Sequence, residues 1–513
     1  MDLPTPTMKP TPIAKQGYFD SRPISPLELL HPNGVIQSLL IFGSNCPSHF
    51  LPARGTTTRK AADLIILAPN VAECRTNGWL ENSVQSIDRS LAKDGVIYVL
   101  APPRWRHKIK RLLQRQGVIL EPDAAYFPNW EASRYIVPLK PALMQYAFHQ
   151  MMPTRLWKKF FILILLRTPG PLKLVGNLHP WIGFAARRAD GRPLFNWLYR
   201  EDGVFPQEWN AIMHTSWRGE RGSIAVLRFS SDAIPDQVVK LAWSKKITFT
   251  QVAEVELIPK FGPRARAAGA RLPDILSVDQ IHDRNVYSQT AIPGRLAAVL
   301  LLERPGKIYE LMRRIVNWLE AWHRLTKVSQ RLDRHWFESE LLSPASSLAP
   351  FIEEANSYLG WLSERCEEVD IPVPLTSAHN DLSMWNILLD DQGQVGVVDW
   401  NCAREKCFPF IDLLYAMTDA AMSASGYTER VKAFKECFTQ GGRYSSFTKQ
   451  TLIDLQTHLE IPKAVLDISF HICFIGHAFN EQNLAEPDEP LQFLEIVRYL
   501  SQNRDELREW ISS

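Results

Sequence analysis

The sequence predicts a multidomain chain, an α/β unit followed by a larger α+β unit, on three observations. At 513 residues it is longer than one hydrophobic core normally serves. Between residues 35 and 145 short apolar runs alternate with helix-period segments, the pattern of a parallel sheet with crossover helices. After residue 206 three strand-like runs precede a mostly helical remainder, an α+β order. Hydrophobic content of 45% and charged content of 22% belong to a folded chain, not a disordered or collagen-like one.

Residues 1–30 read as a flexible proline-rich tail: Lys9 and Lys15 are followed by no apolar stretch, so no secretory leader is expected. Residues 31–150 form the α/β unit. "SLLIFGS" and "ADLIILAP" have the continuous apolar character of buried strands. Leu80, Val84, Ile87 and Leu91 recur at helical spacing before the strand "GVIYVLAP". The basic helix "RWRHKIKRLLQRQG" ends at Gly117, a natural C-terminal cap, and "ASRYIVPLK" closes the unit. This order resembles the C-terminal half of a Rossmann-like S-adenosylmethionine-dependent methyltransferase. Such enzymes need a glycine-rich turn after the first strand, and here Gly43 stands alone. The resemblance therefore implies a truncated Rossmann-like unit without the methyl donor, a scaffold or substrate-docking domain. A methyltransferase-linked bifunctional protein is the alternative.

Residues 151–205 connect the two units. In "TRLWKKFFILILLRTPGP", Arg155, Lys158, Lys159 and Arg167 bracket Trp157 and an apolar run. The segment 155–167 reads either as an interfacial helix in peripheral contact with a membrane or as a core helix or strand with a charged exit. The run Phe160–Leu166 has seven residues against the roughly 20 that span a bilayer, so no transmembrane helix is expected. With 58 basic and 55 acidic residues the chain shows no nucleic-acid signature. Seven scattered cysteines form neither a disulfide framework nor a zinc pattern, which suits a reducing cytoplasm.

Residues 206–513 carry the chemistry, with a small lobe at 206–290 and a helical lobe at 291–513. "AIMHTSW", "SIAVLRFS" and "QVVKLAW" are the strands of the small lobe. Further on, "HNDLSMWNILLDDQGQVGVVDW" reads as a polar loop and then a hairpin around "DDQGQ", with Asn386 at one end and Asp399 at the other. An amide oxygen beside a carboxylate is the hard oxygen pair that Mg²⁺ accepts when phosphates complete its shell. Asp381 would face an acceptor. One carboxylate to receive a hydroxyl proton, plus an amide and a second carboxylate to hold metal on a nucleotide, is the division of labour of phosphoryl transfer.

"HNDLSMWN" followed by "VVDW" resembles the His-x-Asp-x4-Asn and Asp motifs of the aminoglycoside phosphotransferase and choline kinase-like family, whose fold is protein kinase-like. Pro409 with Asp412-Leu413, the helix ending at His323, and Pro293-Gly294 in "AIPGRLAAVLL" are similar to further family segments. The resemblance implies an ATP-dependent phosphotransferase acting on a hydroxyl, with Asp381 as base and Mg²⁺ held by Asn386 and Asp399. It also implies that Lys240 binds nucleotide phosphates, positioned by Glu254 in preference to its rival Glu256. His379 and Asp412 would brace the loop. Gly219 and Gly222 in "SWRGERGS" would let backbone approach phosphate. Asp399 is followed by Trp-Asn and no Ala-Pro-Glu element separates it from Asp412, so a small-molecule or glycan acceptor is expected rather than a protein. A non-catalytic nucleotide-binding regulatory module is the competing reading.

Overall fold

The computed structural model describes residues 30–32, 38–44, 61–128, 134–151, 182–199, 210–215, 223–230, 234–242, 248–281, 284–485 and 490–512. The tail at 1–29, the segment 155–167, Gly219 and Gly222 lie outside the described residues. The chain divides into two compact units, one of residues 1–149, 156–255 and 275–291, the other of 150–155, 256–274 and 292–513.

The first unit is built on one sheet of 11 strands. Its strands are β1 (Leu39–Phe42), β2 (Ala62–Leu67), β3 (Leu91–Val99), β4 (Val118–Pro128), β5 (Arg134–Pro138), β6 (Ile182–Arg188), β7 (Ala211–Thr215), β8 (Ser223–Arg228), β9 (Gln237–Ala242), β10 (Ile275–Ile281) and β11 (Arg284–Thr290). They lie in the order β1-β2-β3-β6-β4-β5-β7-β8-β9-β11-β10. β1, β2 and β3 are parallel, with Leu39 opposite Leu64 and Leu64 opposite Val96. β6 then enters antiparallel between β3 and β4.

Alternate residues of β2 and β3 feed two cores. Leu64, Ile66, Val96 and Tyr98 pack with Leu194, Phe195 and Trp197 on one face. Ile65, Leu67, Ile97 and Val99 pack with Leu80, Val84, Ile109 and Leu113 on the other. Burial on both faces is why these strands read as unbroken apolar runs, each such side chain contributing roughly 1.5–3 kcal/mol. The short helix Val71–Arg75 is set by a reciprocal cap: Asn70 Oδ1 accepts from Glu73 N–H at 2.8 Å and Glu73 Oε2 from Asn70 N–H at 2.7 Å. Helix Pro103–Arg115 begins on a proline and is followed by Gly117 at φ +75°.

Two features differ from the sequence-based division. The strands of the α/β region and those of the small lobe share one sheet, because β5 pairs with β7 (Ile136 opposite Met213). The compact unit therefore runs across residues 150 and 206, while its last strand ends at Thr290. The hairpin β10–β11 also stands where helical pattern was expected. Leu276 and Val278 are 50% and 55% exposed at this edge, which hides the strand's periodicity.

The second unit is largely helical. Helix Ile308–Thr326 buries Leu311, Met312, Ile315, Trp318, Leu319 and Trp322 on one stripe. Helix Ile411–Ala424 is buried at every position but its last. Two small sheets carry the polar loop: β13 (Val328–Gln330), β14 (Val373–Ala378) and β17 (Arg404–Cys407) form one, and β12 (Arg295–Leu296), β15 (Ile387–Leu389) and β16 (Val395–Val397) the other. β12 can lie against β15 because Gly294 takes φ +134° and a Cβ there would fall 2.8 Å from the Leu389 carbonyl carbon.

Candidate active site

In the first unit, β9 places Lys240 opposite Ala225 of β8 and Tyr287 of β11. Helix Thr248–Ala267 brings up Glu254, whose Oε2 lies 2.6 Å from Lys240 Nζ and also accepts from the Tyr287 hydroxyl. Glu254 is 1% exposed, so its charge is compensated by these two donors rather than by water. Glu256 is exposed on the same helix.

In the second unit, β14 is buried throughout and delivers His379, Asn380 and Asp381 at its end. Asp412, at the start of helix Ile411–Ala424, accepts from the backbone N–H of His379 at 2.6 Å and of Asn380 at 2.8 Å. Burial pushes the Asp412 carboxyl up to about 7 against the pull of those two N–H groups. His379 is fully buried; its Nε2 lies 3.1 Å from the Val398 carbonyl, the contact of a donor, and its ring meets Trp400 edge to face at 4.9 Å. These contacts fit a brace for the loop. Asn380 adopts φ +60° and Asp399 φ +66°, left-handed conformations that cost energy for residues with a side chain and that surrounding bonds must hold.

Asp381 is fixed from two sides. Asn386 Nδ2 donates to its Oδ2 at 3.1 Å and to its carbonyl at 2.8 Å, while the Tyr415 hydroxyl donates to Oδ1 at 3.2 Å. The amide nitrogen of Asn386 is thus spent on Asp381, and its oxygen is the atom left for a cation. Hairpin register puts Ile387 opposite Val397, and Val398 N–H donates to the Asn386 carbonyl at 3.0 Å. Asn386 and Asp399 therefore stand at the same end of the hairpin. Among the described residues no group of three or more His, Cys, Asp or Glu could hold a metal. One carboxylate and one amide oxygen fit Mg²⁺ only with phosphate oxygens and water in the remaining positions.

Sequence reasoning missed Tyr415 and Asp419. Asp419 Oδ2 accepts from Met384 N–H at 2.7 Å and its Oδ1 from Arg430 Nη1 at 3.3 Å, which ties the middle of the loop to the helix. The signal was present: Asp412, Tyr415 and Asp419 fall at i, i+3 and i+7 in an otherwise apolar helix, and polar groups so buried must have partners.

Residues 242–431 match the APH phosphotransferase enzyme family. The matched stretch includes Glu254, the Asp381 loop, Asp399 and Asp412, and it begins two residues after Lys240. No curated protein matches the chain. Among solved structures it is similar to the GDP complex of wild-type aminoglycoside 2'-phosphotransferase-IIIa, at 15% identity over 55% of this chain and 89% of that one, TM-score 0.36. It is similar to aminoglycoside phosphotransferase APH(3'')-Id from Streptomyces rimosus, at 14% identity over 54% and 94%, TM-score 0.35. A thermostable mutant of aminoglycoside phosphotransferase APH(4)-Ia is similar at 11% identity over 61% and 97%, TM-score 0.38. No helix among the described residues is long and apolar enough to cross a membrane.

Proposed function

We propose that the protein is an ATP-dependent phosphotransferase that moves the γ-phosphate to a hydroxyl of a small molecule or glycan. The observation that carries this reading is Asn386, whose side-chain amide bonds the acceptor-side carboxylate of Asp381 and whose backbone carbonyl accepts from the N–H of Val398, the residue before Asp399.

Asp381 orients the acceptor hydroxyl and takes its proton as the new O–P bond forms and the bond from the γ-phosphorus to the leaving ADP oxygen breaks. Two hydrogen bonds to its carboxylate fix its direction, which suits a loose transition state that asks more for positioning than for deprotonation. Asn386 Oδ1 and Asp399 hold Mg²⁺, which when bound neutralises charge on the phosphates. Lys240, held by Glu254, contacts the α- and β-phosphates. His379 and Asp412 brace the loop.

The α/β strands serve as a scaffold without a methyl donor. β1, β2 and β3 run in simple sequence order, with no reversal of the kind at which doubly wound sheets hold their ligands. The chain works in the cytoplasm.

Calorimetric titration with ATP and Mg²⁺ separates the roles. Asp399→Asn and Asn386→Ala should weaken Mg²⁺-dependent ATP binding by about tenfold or more, the loss of charge-assisted metal contacts, while Asp381→Ala leaves it nearly intact. Equal affinities in all three variants would remove the metal assignment.

A further inference from the structure

The surroundings of Asp381 are aromatic and hold one guanidinium. The Tyr415 ring, whose hydroxyl reaches Asp381, lies 4.3 Å from the His477 ring and 5.7 Å from that of Phe493. Arg430 sets its guanidinium 4.3 Å over Phe493 and 5.8 Å from Tyr415. The Phe493 and Tyr415 rings are thus already engaged by a cation of the protein itself. The nearby carboxylates have partners too: Asp419 is bonded to Arg430 and Met384 N–H, and Glu481 accepts from Phe493 N–H at 2.7 Å. Burial keeps His477 neutral.

A second pair of rings extends from the loop. Trp385, the neighbour of Asn386, stacks on Tyr427 with centroids 6.0 Å apart and planes 27° apart, both half-buried. Tyr427 holds an unfavourable φ of +57°. Its N–H donates to the Met422 carbonyl at 2.8 Å and its hydroxyl accepts from Ser423 Oγ at 2.6 Å, and it lies close enough to Tyr415 and Arg430 to influence both electrostatically. The pair is tied to the reacting carboxylate through Asn386, the neighbour of Trp385, whose amide bonds Asp381, and a strained residue held by specific bonds at such a place points to a binding surface.

We propose that the acceptor is a neutral sugar, its apolar C–H face packed on the Trp385–Tyr427 pair and a hydroxyl presented to Asp381. The pairing matches chemistry to surface: a sugar ring offers an apolar face to an aromatic one while its rim of hydroxyls bonds to polar neighbours. A polyamine acceptor would instead look to carboxylates, and those of Asp419 and Glu481 are already engaged by Arg430 and by the Phe493 N–H. This inference rests on the phosphotransferase reading.

The test is saturation-transfer NMR on the full chain with Mg²⁺ and a non-hydrolysable ATP analogue, using neutral methyl glycosides and oligosaccharides against choline and kanamycin. Wild-type protein should bind members of the neutral set, and Trp385→Leu should weaken that binding about tenfold, the order of a lost stacking contact, with analogue affinity unchanged. Tyr427→Leu should act in the same direction. Preference for choline or kanamycin, absence of any neutral binder, or sugar binding indifferent to Trp385→Leu would overturn the proposal. Failure of the wild type to bind the ATP analogue would instead remove the phosphotransferase reading, and the inference with it.

Discussion

Lys240 in the first unit and Asp381 in the second are both fixed charges, but they are held by different physics. Lys240 sits against a buried carboxylate shared with a tyrosine, so its position depends on side-chain packing and Coulomb attraction. Asp381 sits on a loop whose backbone N–H groups are pinned by Asp412 and Asp419 and whose left-handed turn is strained. The first arrangement places a charge; the second sets the direction of one carboxylate. Substitutions at the first should therefore change stability and nucleotide binding together, and substitutions at the second should divide into those that stop transfer and those that loosen the loop.

The largest expected effect is Asp381→Ala. Loss of the positioned base should lower turnover by about 10³-fold or more, with Mg²⁺-ATP affinity and unfolding midpoint close to wild type, read by phosphate-transfer assay, calorimetry and urea denaturation. Unchanged turnover would erase the contrast drawn here. Next is Glu254→Ala, which leaves Lys240 without its buried counter-charge and should cost about 3 kcal/mol in urea unfolding. Pairing Lys240→Met with Glu254→Gln should recover part of that loss, because the introduced amide would keep a partner for Tyr287, but nucleotide affinity should stay low. Asp412→Ala removes the acceptor from two buried backbone N–H groups and should cost about 2 kcal/mol while also reducing turnover; recovery of the wild-type rate in a stabilising osmolyte would show that its role is only to hold the fold.

The smallest effect is in pH dependence. Burial holds His323 at about 4 and His471 and His477 at about 3, below their ordinary 6.5. Their contribution is complete above pH 6.5 and is lost as pH falls toward those folded values, because the unfolded state binds the extra protons. Asp412 and Asp467, raised to about 7 and about 6, act in the opposite sense, costing stability as pH rises from about 4. His214 is likewise held down at about 4 and Glu481 pushed up by burial, so with four histidines against three carboxylates the midpoint of unfolding should fall modestly between pH 6.5 and 4.5. His323→Leu should flatten that slope, as followed by circular dichroism.

The same contrast governs what could be read in the sequence. β2, β3 and β9 were legible because burial on one or two faces writes itself into apolar runs, and the hairpin around Asp390–Gln394 because its turn residues demand it. The edge hairpin β10–β11 was not, since Leu276 and Val278 of β10 face solvent. Nor was the sharing of one sheet, which rests on β5–β7 pairing between strands distant in the chain. At the site, the spacing of His379, Asp381, Asn386 and Asp399 follows from a local loop and hairpin, so it could be read directly. The contacts of Tyr415, Asp419 and Arg430 depend on helices docking from later in the chain, and local pattern marks such residues only as polar positions in a buried helix.

The most direct test of the central claim is transfer of γ-phosphate label from ATP, with Mg²⁺, into soluble, lipid and polysaccharide fractions of the source cells, with Asp381→Ala protein as control. Label that appears in one fraction with the wild type and disappears with the variant is the predicted result. Measurable ATP binding with no variant-sensitive label in any fraction would contradict it and leave a nucleotide-binding module in place of an enzyme.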